Sequence, residues 1–96
     1  PRPWIGLYAA DVGDNIVVAG IANGGPADHT DLNVGDIILS VDGEEVSELA
    51  PFFRMIWSLG PAGVEVPLQI HREGKSFDVL IESVDRRTLL KGPVVH

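Results

Sequence analysis

The chain has no cysteine, so neither a disulfide framework nor thiolate chemistry is open to it, and cysteine usage leaves its redox compartment undecided. Basic side chains are scarce as well. Seven Lys and Arg stand against 14 Asp and Glu, and the resulting charge of -7 has the wrong sign for displacing counterions from nucleic acid or for approaching anionic lipid. The sequence therefore argues against nucleic acid and direct membrane binding. No apolar run approaches the roughly 20 residues that a membrane-crossing helix needs.

Chemical motifs are missing too. Gly24-Gly25 has no Gly-Lys-Ser or Gly-Lys-Thr and no Gly-x-Gly-x-x-Gly around it, which removes the usual phosphate cradle. His29, His71 and His96 are scattered, with no second His or carboxylate at metal-ligand spacing, so no metal site is assigned. No Ser sits in a Gly-x-Ser-x-Gly elbow, and the chain is short for an oxyanion hole and cleft. The reading is a non-enzymatic unit with no catalytic residue and no cofactor.

What is present suffices for one core: 96 residues, 45% hydrophobic, with mean hydropathy +0.17. Pro1-Arg2-Pro3 lacks an initiator Met, and Leu89 to His96 shows no periodicity. The expectation is a domain over residues 1–86 cut from a larger protein, with 87–96 a tail or the start of a linker.

Two β-branched and aromatic runs, Trp4 to Ala9 and Asn15 to Ile21, predict strands joined by a loop at Asp11 to Asp14. Gly24-Gly25-Pro26 then breaks the strand and opens a helix of one or two turns. Asp36 to Val41 reads as a buried central strand closed by an Asp42-Gly43 hairpin turn. From Ser47, a candidate cap, the period changes: Leu49, Phe52, Phe53, Ile56 and Leu59 predict the one long helix, ending near Gly60-Pro61. Val64, Val66, Leu68 and Ile70, a turn at Glu73-Gly74, and Phe77, Val79 and Ile81 predict a final hairpin. Pro67 cannot donate to a ladder, so its strand should have an unpaired stretch or lie at an edge. The fold class is α+β: a small, partly open β-barrel or sandwich of about five or six strands, capped by one long and one short helix.

The order of these parts carries a resemblance. A Trp4-Ile5-Gly6-Leu7 opening and a Gly24-Gly25-Pro26-Ala27 step are followed by Leu-x-x-Gly-Asp-x-Ile-x-x-Val-x-Gly from Leu32 to Gly43. Val-x-Leu-x-Ile-x-Arg-x-Gly-Lys follows, ending at Lys75. Over about residues 3 to 84 the chain resembles a PDZ domain, of the permuted bacterial type attached to HtrA/Deg-like trypsin-family serine proteases. One position departs from the pattern: Asp31 stands where a Gly usually ends the short helix, and Asp is a residue type that can still take the left-handed geometry.

The resemblance implies capture of apolar C-terminal or extended peptides by strand addition, a mode for which PDZ domains are a standard case. It places a carboxylate-binding loop at Trp4, Ile5, Gly6 and Leu7 and a peptide-pairing strand at Leu7, Tyr8 and Ala9. Phe52, Met55 and Ile56 become the groove helix, and Arg2 a further carboxylate contact. It also implies a periplasmic or envelope location. Phe53 and Trp57 exceed what a single core stripe needs, which argues for a second apolar surface on the helix, either a groove or a docking face. Two partner classes stay open: peptides of other proteins, or the domain's own protease and neighbouring subunits. A trypsin-like protease, an intramembrane metalloprotease and a secretion scaffold are all compatible parents.

Overall fold

In the computed structural model, which describes residues 2–85 and 87, the chain folds into a single antiparallel sheet with one α-helix and one 3₁₀ turn. The tail expected over 87–96 lies, beyond its first residue, outside the described residues. The strands are β1 (Leu7–Val12), β2 (Asn15–Ile21), β3 (Ile37–Val41), β4 (Glu44–Glu45), β5 (Glu65–Arg72) and β6 (Lys75–Glu82). Helix α1 spans Leu49–Ser58, and the 3₁₀ turn Pro26–His29. The sheet order is β1-β2-β3-β5-β6, with β4 added to β3. Ahead of β1, Trp4 bridges to Val84 just past β6, through N–H to O bonds of 3.0 Å in both directions. The two ends of the sheet therefore meet at that point, and the barrel is partly open, in keeping with the α+β expectation.

Each turn follows from local chemistry. Val12 pairs with Asn15, leaving Gly13-Asp14 as a two-residue loop, so the first strand runs further into the expected loop than its residue types suggest. Asp42-Gly43 and Glu73-Gly74 both take positive φ at their two central residues, the geometry whose twist matches the flanking strands. Pro26 opens the 3₁₀ turn at its first position. The left-handed residue expected at Asp31 is absent: Asp31 is not among the positive-φ residues. Thr30 closes this turn instead, its hydroxyl donating to Ala27 O at 2.7 Å and accepting from Leu32 N at 3.2 Å.

Pro67 lies in β5, which is central rather than at an edge. Its carbonyl accepts from Asp42 N at 2.8 Å, so its nitrogen also faces the β3 side, just beyond the last β3–β5 pair at Val41 and Leu68. The missing donor thus falls where no strand continues.

The core is built from the inward residues of the sheet, among them Ile16, Val18, Ile38, Leu68, Ile70 and Ile81, and is covered by Phe52 and Ile56 of α1. Asp36 is the charged exception, with a side chain 2% exposed. Its carboxylate accepts from Arg72 through both oxygens at 2.7 Å and from Asn33 N at 2.7 Å, and Arg72 continues to Asp31 O at 2.8 Å. The Gly-Asp step of the motif is therefore tied to the end of β5. The Arg72 guanidinium holds the Asp36 carboxyl below the ordinary aspartate range against the opposing effect of burial.

Candidate functional site

The opening segment turns on Gly6. With φ +71°, it occupies the left-handed region, and a Cβ there would stand 3.3 Å from Pro26 Cδ and 3.4 Å from Gly25 Cα. Gly6→Ala should cost about 1–2 kcal/mol of unfolding free energy in urea titrations, from left-handed strain alone. An unchanged midpoint would show that the loop relaxes freely.

Carbonyls in this segment point into the fold: Ile5 O accepts from Ala27 N and Gly6 O from Ala22 N, each at 2.9 Å. The Ile5 and Gly6 N–H groups donate to nothing among the described residues. Trp4 differs, because its N–H is committed to Val84 O at 3.0 Å. Of the four residues assigned to the loop, Trp4 thus anchors the segment, while Ile5 and Gly6 supply unpaired donors.

β1 ends the sheet order. In an antiparallel ladder, the bond from Ala22 N to Gly6 O flanks Leu7–Ile21 as a non-hydrogen-bonded pair, so Leu7 N–H and C=O face away from β2. Val18 spends its N–H on Asp36 O and its C=O on Gly35 N, both at 2.8 Å, which leaves its partner Ala9 facing outward too. The bulge between these pairs is absorbed in β2 at exposed Ala19, so the alternation along β1 is intact. Tyr8, between them, is 55% exposed and bonds inward through the Gly20 pair, its ring lying over Gly20.

Helix α1 flanks this edge at both of its ends. Its first free donor, Leu49 N, is capped at 3.0 Å by Asp11 Oδ1 from β1. The capping role expected of Ser47 is not filled: Glu48 is the N-cap residue and no side chain of the preceding segment bonds the helix. At the other end, the Arg2 guanidinium lies 4.0 Å from the centroid of Trp57. The helix therefore runs antiparallel to β1, and the face turned to it is Leu49, Phe53 and Trp57 at i, i+4 spacing. Phe53 stacks on Trp57 at 6.0 Å between centroids and meets Phe52 at 5.1 Å.

The helix residues named from sequence separate. Phe52 is fully buried in the core, Ile56 is 1% exposed at the boundary between core and groove face, and Met55 lies about 160° around the helix from Trp57, against another part of the core. Leu49, Phe53 and Trp57 form the face towards β1; the groove assignment from sequence omits them, although their four-residue spacing carries the signal. Arg2 stands beside the loop, held by Trp57 and making no ion pair with an acidic group among the described residues.

Ile5 and Leu7, at 3% and 6% exposure, are almost as covered as Ile56, so the space between β1 and α1 is shut down. A cleft of about 630 Å³ lies elsewhere, between the 3₁₀ turn and β6, bordered by Pro26, His29, Leu80 and Val84. It holds no unpaired buried polar side chain among the described residues and has no strand edge of β1 in its lining. The unpaired amides and the open ladder, rather than cavity size, mark the candidate site.

This arrangement has a known counterpart, since residues 3–82 match the family profile of the PDZ domain. The chain belongs to the PDZ domain family.

The PDZ domain is 31% identical over 94 residues, 83% of this chain, to a DegP-like periplasmic serine endoprotease of Pseudomonas putida. It is 30% identical over 76 residues, 79% of this chain, to a protein of Brucella suis biovar 1 named as a zinc metalloprotease. It spans 19% of the length of each. Among solved structures, it superimposes on the HtrA-type protease AlgW with a decapeptide at TM-score 0.77 and 25% identity, covering 86% of this chain and 29% of that one. The PDZ domain of a carboxy-terminal protease from Vibrio cholerae, solved in complex with a peptide, gives TM-score 0.69 and 27% identity, covering 86% of this chain and 94% of that one.

Proposed function

We propose that this PDZ domain captures the free C-terminal end of apolar peptides by adding them as a strand to β1. The observation that carries the reading is the pair of unpaired Ile5 and Gly6 amides, placed where the outward-facing Leu7 and Ala9 groups begin a ladder. A terminal carboxylate would take the amides, the peptide backbone would take the ladder, and its last side chain would enter between Ile5, Leu7 and Ile56. Arg2 adds a cation beside the loop. The similar PDZ domain of the Vibrio cholerae carboxy-terminal protease, solved in complex with a peptide, supports peptide binding. The parent protein, on the same reading, is an HtrA-like envelope protease in the periplasm, with this domain in a regulatory or substrate-recognising role; the DegP-like relatives support it.

Titrating the domain with one apolar-ended peptide in free-acid and amidated forms tests this. The free acid should bind at least about fivefold more tightly, since charge-assisted bonds to two amides exceed neutral ones by more than about 1 kcal/mol. Equal affinities would remove the carboxylate loop and with it the end-specific reading.

A second reading is docking on the parent's own protease domain or on a neighbouring subunit, favoured by Leu80, 52% exposed on the outer face of β6, with Phe77, 39% exposed on the opposite face beside Arg72, as a further exposed apolar side chain of that strand. Phe77→Ser with Leu80→Ser in the full-length parent should then alter assembly or proteolysis while peptide affinity stays constant.

A further inference from the structure

The candidate groove is closed, and what closes it is specific. Ile5, Leu7 and Ile56, which would receive a ligand's last side chain, are 3%, 6% and 1% exposed, so entry requires α1 to move away from β1. The helix is pinned to β1 at its N-terminus by Asp11 and is held at its C-terminal end by Arg2 stacked on Trp57. Trp57 is 38% exposed and one residue from Ile56, so a displacement at this end uncovers the pocket while the Asp11 end serves as the pivot.

We infer that Arg2 and Trp57 form a latch that keeps the peptide groove shut until a terminal carboxylate draws the guanidinium away. The inference rests on the peptide-capture reading above. An ionised carboxylate is a stronger partner for a guanidinium than an indole face, because it accepts two parallel charge-assisted hydrogen bonds where the ring offers only its quadrupole. Arg2 is close in sequence to the loop whose Ile5 and Gly6 amides are unpaired, so a carboxylate held there lies within the reach of its side chain. The acidic side chains that make hydrogen bonds or ion pairs among the described residues are engaged elsewhere: Asp36 with Arg72, Asp85 with Arg87, Asp11 with the helix cap and Asp28 with Gly24 N. The latch thus couples the chemistry of the ligand's end to the opening of the pocket. An amidated peptide gives the guanidinium no reason to leave the ring, and it must open the groove against the latch.

The test measures association rates and affinities of the free-acid and amidated forms of one apolar-ended peptide. They are compared on the wild-type domain, Trp57→Leu and Arg2→Gln. An exposed cation–π contact corresponds to roughly a two- to fivefold bias towards the closed form. Trp57→Leu should therefore raise the association rate of both peptides by about that factor. Arg2→Gln should do the same for the amidated peptide, while the free acid keeps the preference supplied by the Ile5 and Gly6 amides but loses the part supplied by the guanidinium, so the ratio between the two peptides narrows. If Trp57→Leu slows or leaves unchanged both peptides, Trp57 is a wall of the groove and the latch is wrong, with the capture reading intact. If Trp57→Leu is poorly folded, the gain of the amidated peptide on Arg2→Gln decides alone, and its absence overturns the latch. A wild-type domain that binds neither peptide overturns capture and latch together.

Discussion

Phe52→Ala is expected to remove about 4 kcal/mol of unfolding free energy, whereas Phe53→Ala, one residue on, should cost about 1 kcal/mol and lower peptide affinity roughly tenfold. The two rings touch, at 5.1 Å between centroids, yet they answer to different surfaces. Phe52 is without exposed surface at the centre of the core, so truncation leaves a void that sheet residues such as Ile38 and Leu68 cannot fill without distorting the ladder. Phe53 is half-buried and stacked on Trp57, on the helix face turned to β1, where water can occupy the space that its ring leaves. Urea unfolding gives the first difference, and peptide titration of each variant under conditions where it is fully folded gives the second. The separation fails if Phe53→Ala destabilises as strongly as Phe52→Ala, or if it leaves peptide binding untouched.

This pair also marks the boundary of what the sequence discloses. Period and turn chemistry are local properties, and they place the strands, the Asp-Gly and Glu-Gly turns and the long helix close to where the structure has them. The helix, however, is apolar over so wide an arc that the choice between Phe52 and Phe53 as core or groove residue depends on how α1 is rotated against β1. That rotation is set by contacts distant in sequence. Asp11 caps the helix from 38 residues away, which is why sequence reasoning turns to the local candidate Ser47 and cannot separate Met55 from Ile56. Gly6 is legible, because a glycine in an apolar opening run is the residue that allows a left-handed turn. That the carbonyls of Ile5 and Gly6 turn inward to Ala27 and Ala22, leaving two amides unpaired, depends on the 3₁₀ turn that follows β2. The motif's Gly-Asp step is readable as family pattern, while its physical purpose emerges only with Arg72, 36 residues later in the chain.

That purpose leads to a pH dependence. Asp36→Asn is expected to cost about 3 kcal/mol at pH 7: the carboxylate's ion pair with Arg72 and its bond from Asn33 N are lost, and an amide NH₂ is turned against a guanidinium that has only donors to offer. In the wild type, the folded carboxyl titrates below its unfolded counterpart, with the hydrogen bond from Arg72 as the leading cause. The unfolded chain therefore takes up a proton first as pH falls. The stabilisation is full above about pH 5 and is lost progressively below about pH 4, as pH drops through the unfolded and then the folded value. The amide of the variant cannot titrate, so the gap between wild type and variant should narrow on acidification below about pH 4. Urea unfolding of both proteins at neutral pH and at successively lower values measures the gap directly. A gap that stays constant across that range would mean that the Asp36 carboxyl titrates alike in the folded and unfolded chain, so that its charge gains nothing from Arg72 on folding.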